Sequence, residues 1–216
     1  MALFKVMPET NLQPQSFHLK RIYNSYKRVL KNSRFMLYTL SFSLSVGALL
    51  GWLAAGPFLV IEDYHYSPVM FGFFQLLIFG SFGIAVYVVN QVLKKGNVLT
   101  LINYGLIFAI LASILSIIAV AFFRTQFWIM VGALTLFAAA DGLSFASLQR
   151  KAVESCQEPM GARMSLFTFI VNVFGALGTI LVSVNHGNEI YVLTAMISIS
   201  TMMLGGVRYY LAQKSL

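Results

Sequence analysis

The chain has 216 residues, of which 58% are hydrophobic and only 10% charged. Soluble chains carry about 25% charged residues, so this composition excludes an ordinary soluble domain. The net charge of +8 does not indicate nucleic-acid binding, because the basic residues form no single face and instead mark loops on alternate sides of apolar runs.

The opening residues, MALFKV, are too short to span a bilayer and lack the cleavage pattern of a signal peptide. Residues 1–6 read as the tail of a preceding membrane helix, and 7–34 as a linker containing Pro8 and Pro14. Within it, Leu19, Ile22, Tyr23, Tyr26, Val29 and Leu30 recur at helical spacing, with Lys20, Arg21, Lys27, Arg28 and Lys31 on the remaining surface. Such a basic amphipathic helix lies at the membrane interface, apolar side toward lipid and cations toward anionic headgroups.

A bilayer core takes roughly 20 apolar residues per helix. Six stretches meet that length: 35–61, 68–92, 98–123, 127–148, 164–184 and 190–211. The fold class is therefore all-α, an integral membrane six-helix bundle over 35–211, with 212–216 as a tail. Pro57 predicts a kink late in the first span. Gly72, Gly80 and Gly83 in the second span, Gly175 and Gly178 in the fifth, and Gly205 and Gly206 in the sixth predict close helix approach. Gln75, Asn90 and Asn172 are candidates for bonds across helices, with Asn90 close enough to the basic turn at 94–97 to be interfacial instead. Trp128 and Tyr191 suit an interfacial aromatic belt.

Every Lys and Arg except Arg124 lies in the leader, the second–third turn, the fourth–fifth loop or the end of the chain. The positive-inside rule places those segments, and both termini, in the cytoplasm.

Asp141 is the sharpest chemical feature, set in the fourth span between Ala138-Ala139-Ala140 and Gly142. A charged side chain at the centre of a span costs about 2.5–3.5 kcal/mol to insert. Such residues face a cavity or partner and mark ion or proton pathways, so Asp141 is the proton-coupling candidate. The competing reading is a buried carboxyl held by one hydrogen bond or reached by water from the end that carries Arg150. Cys156 is the sole cysteine, and His18, His65 and His186 have no metal-ligand spacing, so neither a disulfide nor a metal site is expected. No nucleophile lies near a base, and no enzymatic activity is expected.

The string MPET, the basic leader ending YKRVLKNSRF, then ALLGWLAAGP and FGFFQLLIFG resemble the second half of MdfA-type multidrug/proton antiporters of the major facilitator superfamily. The resemblance is most specific over residues 7–80 and topological beyond. It implies that the leader joins two six-helix halves and that the spans are helices seven to twelve. The family's acidic proton sites lie in the first half, outside this sequence. On helix seven, Leu49 and Leu50 match cavity-lining leucines, Leu53 stands where the family has a similar aliphatic, and Pro57 matches a family proline. Gly72, Gln75, Phe79 and Gly80 match helix eight, and the likeness puts Phe169 and Asn172 at the helix-eleven cavity wall. Asp141 departs from the family, which is apolar there.

The resemblance implies the C-terminal bundle of a drug/proton antiporter in the inner membrane, for lipophilic or cationic drugs, driven by a proton gradient without a cofactor. Its expected partners are the lipid bilayer and an N-terminal six-helix half. Three rivals remain: a non-transporting product of a truncated or split gene, a half-transporter that pairs with a second copy and uses Asp141, and a scaffold that holds a partner or anionic lipid with its leader. An intact first half encoded nearby distinguishes the first, and loss of coupling on Asp141→Asn the second.

Overall fold

Lipid offers no hydrogen bonds to a backbone, so long apolar runs must satisfy their own N–H and C=O groups as helices. The computed structural model describes residues 19–92, 98–122 and 126–214, and every element among them is helical. A short helix α1 (Leu19–Lys31) precedes α2 (Ser33–Pro57), α3 (Pro68–Val92), α4 (Val98–Phe122), α5 (Phe127–Glu154), α6 (Met160–Val184) and α7 (Glu189–Lys214). The last six are each long and apolar enough to cross a membrane. The reading of residues 1–6 as a helix tail, the linker prolines, the basic turn at 94–97 and Arg124 lie outside the described residues.

Several helices run further than their apolar stretches. The expected charged loop from Arg150 to Arg163 is short: α5 continues to Glu154, where Arg150 Nε donates to Glu154 Oε1 at 2.7 Å one turn on, and α6 begins at Met160. At the start of α2 the side chain of Asn32 accepts from the N–H groups of Arg34 and Phe35 at 3.0 and 3.1 Å, filling two of the four orphan donors of a helix start. Pro57 ends the α-helical part of the first span. Beyond it, Phe58–Asp63 winds with wider π-type bonding, and Tyr64 N–H donates to Leu59 C=O at 3.0 Å.

α2 and α5 form the middle of the bundle. α2 packs on α5, α6 and α7, while α5 packs on α2, α3 and α4, and α4 also meets α7. Two apolar cores result. One, at the end remote from α1, gathers Trp52, Phe74, Phe127, Leu134, Leu193 and Ile197. Its rings interlock, with centroids 4.6 Å apart for Tyr64–Phe127 and 6.1 Å for Trp52–Phe127. The other, at the α1 end, gathers Val29, Phe35, Phe42, Leu148, Phe167 and Val207.

Glycine sets the helix spacing at a few crossings. A Cβ on Gly178 of α6 would lie 2.9 Å from the Gly47 Cα of α2, and one on Gly47 would lie 2.9 Å from the Phe174 carbonyl oxygen. A Cβ on Gly142 of α5 would lie 2.7 Å from the Phe82 carbonyl oxygen of α3. Within this bundle nothing stands within 4 Å of a Cβ at Gly72, Gly80 or Gly83, so the close approach expected there is not made to another helix among the described residues. Gly206 is equally open.

α1 is tied to the turn between α5 and α6 as well as offering Leu19, Ile22, Tyr23 and Leu30 to its surroundings. Arg28 Nη2 donates to Glu158 Oε2 at 3.1 Å, Asn32 Nδ2 donates to the Ser155 carbonyl at 2.9 Å, and the hydroxyls of Tyr26 and Ser165 lie 3.0 Å apart. Hydrogen bonding from Arg28, and secondarily from Ser25, holds the Glu158 carboxyl below its ordinary range. Its contribution to docking is therefore full above that range and is lost as pH falls through the lowered value.

Two outcomes follow from this packing. Gly178→Val should lower stability in detergent unfolding by about 1–3 kcal/mol or more, since backbone cannot yield to the new side chain, whereas Gly72→Ala should change it by less than about 0.5 kcal/mol. A spin label at Lys27→Cys in a Cys156→Ser background should gain mobility as pH falls through the acid range. With Glu158→Gln it should be pH-independent there.

Candidate functional site

Gly142 lets α3 close on α5, the Ala140 carbonyl lies against Gly105 of α4, and Asp141, between Ala140 and Gly142 in sequence, is only 4% exposed. It lines a cavity of about 10 Å³ together with Ser45 of α2, Ser144 of α5, Ser200 of α7 and the apolar Phe137, Leu148 and Leu204. A cavity of that volume has room for about one water molecule. Asp141 Oδ1, Ser144 Oγ and Ser200 Oγ are buried and have no hydrogen-bond partner in the protein. Four polar side chains from three helices thus surround one small space, and the free oxygens among them do not satisfy each other. The arrangement suits a species that can bond several oxygens at once, such as water or a proton carried by it.

The other sequence candidates separate. Leu49 is buried beside Trp52 in the core remote from α1. Leu50 turns toward α6, where its Cδ1 stands 2.6 Å from the position a Cβ on Gly175 would take. Leu53 is 41% exposed on the outer surface of α2. Phe169 is 65% exposed and shares an open groove of about 390 Å³ with Tyr26, Ser165 and Leu166, and Asn172 is exposed one turn along α6. None of the five lines the Asp141 cavity. Gln75 does bond across helices: Trp52 Nε1 donates to its Oε1 at 3.2 Å, joining α2 to α3.

The serines around Asp141 were not singled out by sequence reasoning. Ser144 follows Asp141 by three residues and shares its helix face, a visible signal. Ser45 and Ser200 reach the site only through tertiary packing. Among the described residues no group of His, Cys, Asp and Glu is placed to hold a metal ion.

No family model matches the chain. It is similar to curated multidrug transporters named MdfA. The protein from Yersinia pestis bv. Antiqua (strain Angola) is 26% identical over 80% of this chain and 43% of its own length. That of Edwardsiella piscicida is 25% identical over 81% and 44%, and that of Escherichia coli O6:H1 is 26% identical over 88% and 47%. The chain thus spans about half the length of the relatives it matches, as a C-terminal half would. With its six bilayer-length helices, this is a multi-pass membrane protein with the likeness of an MdfA-type transporter half.

Replacing Gln75 by Leu should cost about 0.6–1.7 kcal/mol in unfolding, the range for a polar contact between membrane helices. Trp52 fluorescence should shift with it, because the indole N–H loses its acceptor.

Proposed function

We propose that this chain is the C-terminal six-helix bundle of a proton-coupled multidrug efflux transporter of the inner membrane, with both termini in the cytoplasm. The observation that carries the proposal is the likeness to MdfA multidrug transporters along most of this chain and only half of theirs. In such a machine two bundles rock about a midplane site. The partner is a complementary six-helix half, and the cargo is a lipophilic or cationic drug exchanged against protons.

The exposed residues of the two helices joined at Gly47 and Gly178 support that assignment. Leu53 on α2, and Phe169 and Asn172 on α6, leave an apolar surface with a single amide for a second bundle and a bound drug to cover. Leu50 lines the seam between the two helices, and Leu49 backs it from the core. No cofactor enters this reading, since the proton gradient supplies the energy.

A second reading has two copies of this chain forming the twelve-helix unit. The buried, unpartnered carboxyl of Asp141 favours it, because a self-assembled pair needs a titratable group of its own.

The test is efflux of a fluorescent lipophilic cation from proteoliposomes with an imposed pH gradient. The chain alone should be inactive, and the chain with a complementary N-terminal half should transport. Activity of the chain alone that disappears in Asp141→Asn selects the two-copy reading. Inactivity in both preparations, with the chain inserted and folded, rejects both.

A further inference from the structure

Among the described residues, the buried side-chain oxygens without a protein partner belong to Thr39 and Ser41 on α2, Asp141, Ser144 and Ser147 on α5, and Ser200 on α7. Their positions are one-sided. The contacts of Arg28 with Glu158 and of Arg34 with Tyr210 put the start of α2, the α5–α6 turn and the end of α7 at one end of the bundle, with α1. From the level of Asp141 and Ser200, all the other unpartnered oxygens lie toward that end. Asp141 to Ser147 covers six residues, or about 9 Å of helix, and Ser45 to Thr39 covers the same on α2.

The opposite half differs. There Trp52 bonds Gln75, Ser81 donates to the Thr135 carbonyl, Thr135 donates to the Val131 carbonyl, and Thr194 donates to the Ile190 carbonyl. Phe137 lines the Asp141 cavity, and the rings of Trp52, Phe74 and Phe127 fill the core toward that end. The unpartnered hydroxyls thus fall in one half of the bundle, beside its apolar core, whereas the hydroxyls named in the other half are paired.

Buried hydroxyls in an apolar medium are costly unless bonded, and where polar groups cluster around sufficient space, water completes them. The about 10 Å³ beside Asp141 is such a space. Toward the α1 end, Arg163 Nε and Arg208 Nη1 are also buried without a protein partner. Arg163 Nη1 donates to the Cys156 carbonyl at 2.8 Å, so its Nε is the N–H left for solvent to complete.

We propose that Asp141 exchanges protons with one side of the membrane only, through a hydrated column of hydroxyls that opens at the α1 end. Ser144 and Ser200 hold the innermost water against the carboxyl, and Ser41, one turn from Ser45 on the same face of α2, carries the column outward. The transfer balances simply: a hydronium gives its proton to the carboxylate and becomes water, and release reverses the step. A hydroxyl on the way accepts one proton and passes on its own. The surrounding helices carry titratable or charged groups at Tyr38 on α2, Tyr87 on α3, Tyr104 on α4, Arg163 on α6 and Arg208 on α7, and none lines the cavity. Whether the bundle transports anything does not enter, because the test reads access.

The test uses single cysteines in a Cys156→Ser background, in membrane vesicles, with the silver ion as a probe small enough for a file of waters. Lys20→Cys, on the exposed side of α1, reports which vesicle face is the α1 end through a bulky impermeant maleimide. Ser144→Cys, Ser200→Cys and Ser41→Cys are near-isosteric, independent variants. Each should be modified by silver from the α1 side and not from the other, scored as lost maleimide labelling after unfolding. Thr135→Cys, in the paired half, should stay unmodified from either side. Modification of the three from the far side, or protection of all three from both sides, would overturn the proposal.

Discussion

The contact on which the bundle depends is the backbone-to-backbone approach of α2 and α6 at Gly47 and Gly178. In lipid, apolar side chains gain little by leaving one hydrocarbon environment for another, so helices associate through shape and through the few polar bonds available. Gly47 and Gly178 supply the shape on one flank of the bundle, and Gly142 against the Phe82 carbonyl supplies it on the other. With α2 and α5 fixed between these crossings, the serines of α2, α5 and α7 are brought around Asp141. The polar centre is thus a product of the glycine packing rather than a separate feature.

That centre gives the two halves of the bundle different characters. The end remote from α1 is a ring-filled core whose polar groups pair locally or across helices. The α1 end combines an aliphatic and aromatic core with hydroxyls, and single guanidinium nitrogens of Arg163 and Arg208, that find no protein partner. The same end carries the docked α1, held by the Arg28–Glu158 pair and by Asn32, which both caps α2 and bonds the α5–α6 turn. Basic charge, unpartnered hydroxyls and attachment of the leading helix coincide at one end of the molecule.

Much of this was legible in the sequence, because bilayer thickness imposes a length that a run of apolar residues reveals. The second span, Pro68–Val92, agrees at both ends, since a proline opens it and the apolar run closes with it. The end of α5 was misread because charged residues suggest a loop, whereas Arg150 and Glu154 prolong the helix by pairing across one turn. Glycines were the least legible. A glycine in a span serves equally to admit a neighbouring backbone or to face outward, and only the tertiary structure separates Gly47 and Gly178 from Gly72 and Gly80. Asp141 stood out as a lone acid in a span, but its surroundings required Ser45 and Ser200, distant in sequence from it and from each other.

The most direct measurement is the infrared carbonyl stretch of the Asp141 carboxyl in bilayers, isolated as the difference from Asp141→Asn and followed on transfer to D2O. A hydrated polar centre predicts a band that shifts promptly and completely on exchange. A band that keeps its position while peripheral amides exchange would mean a dry, sealed carboxyl and would contradict the account.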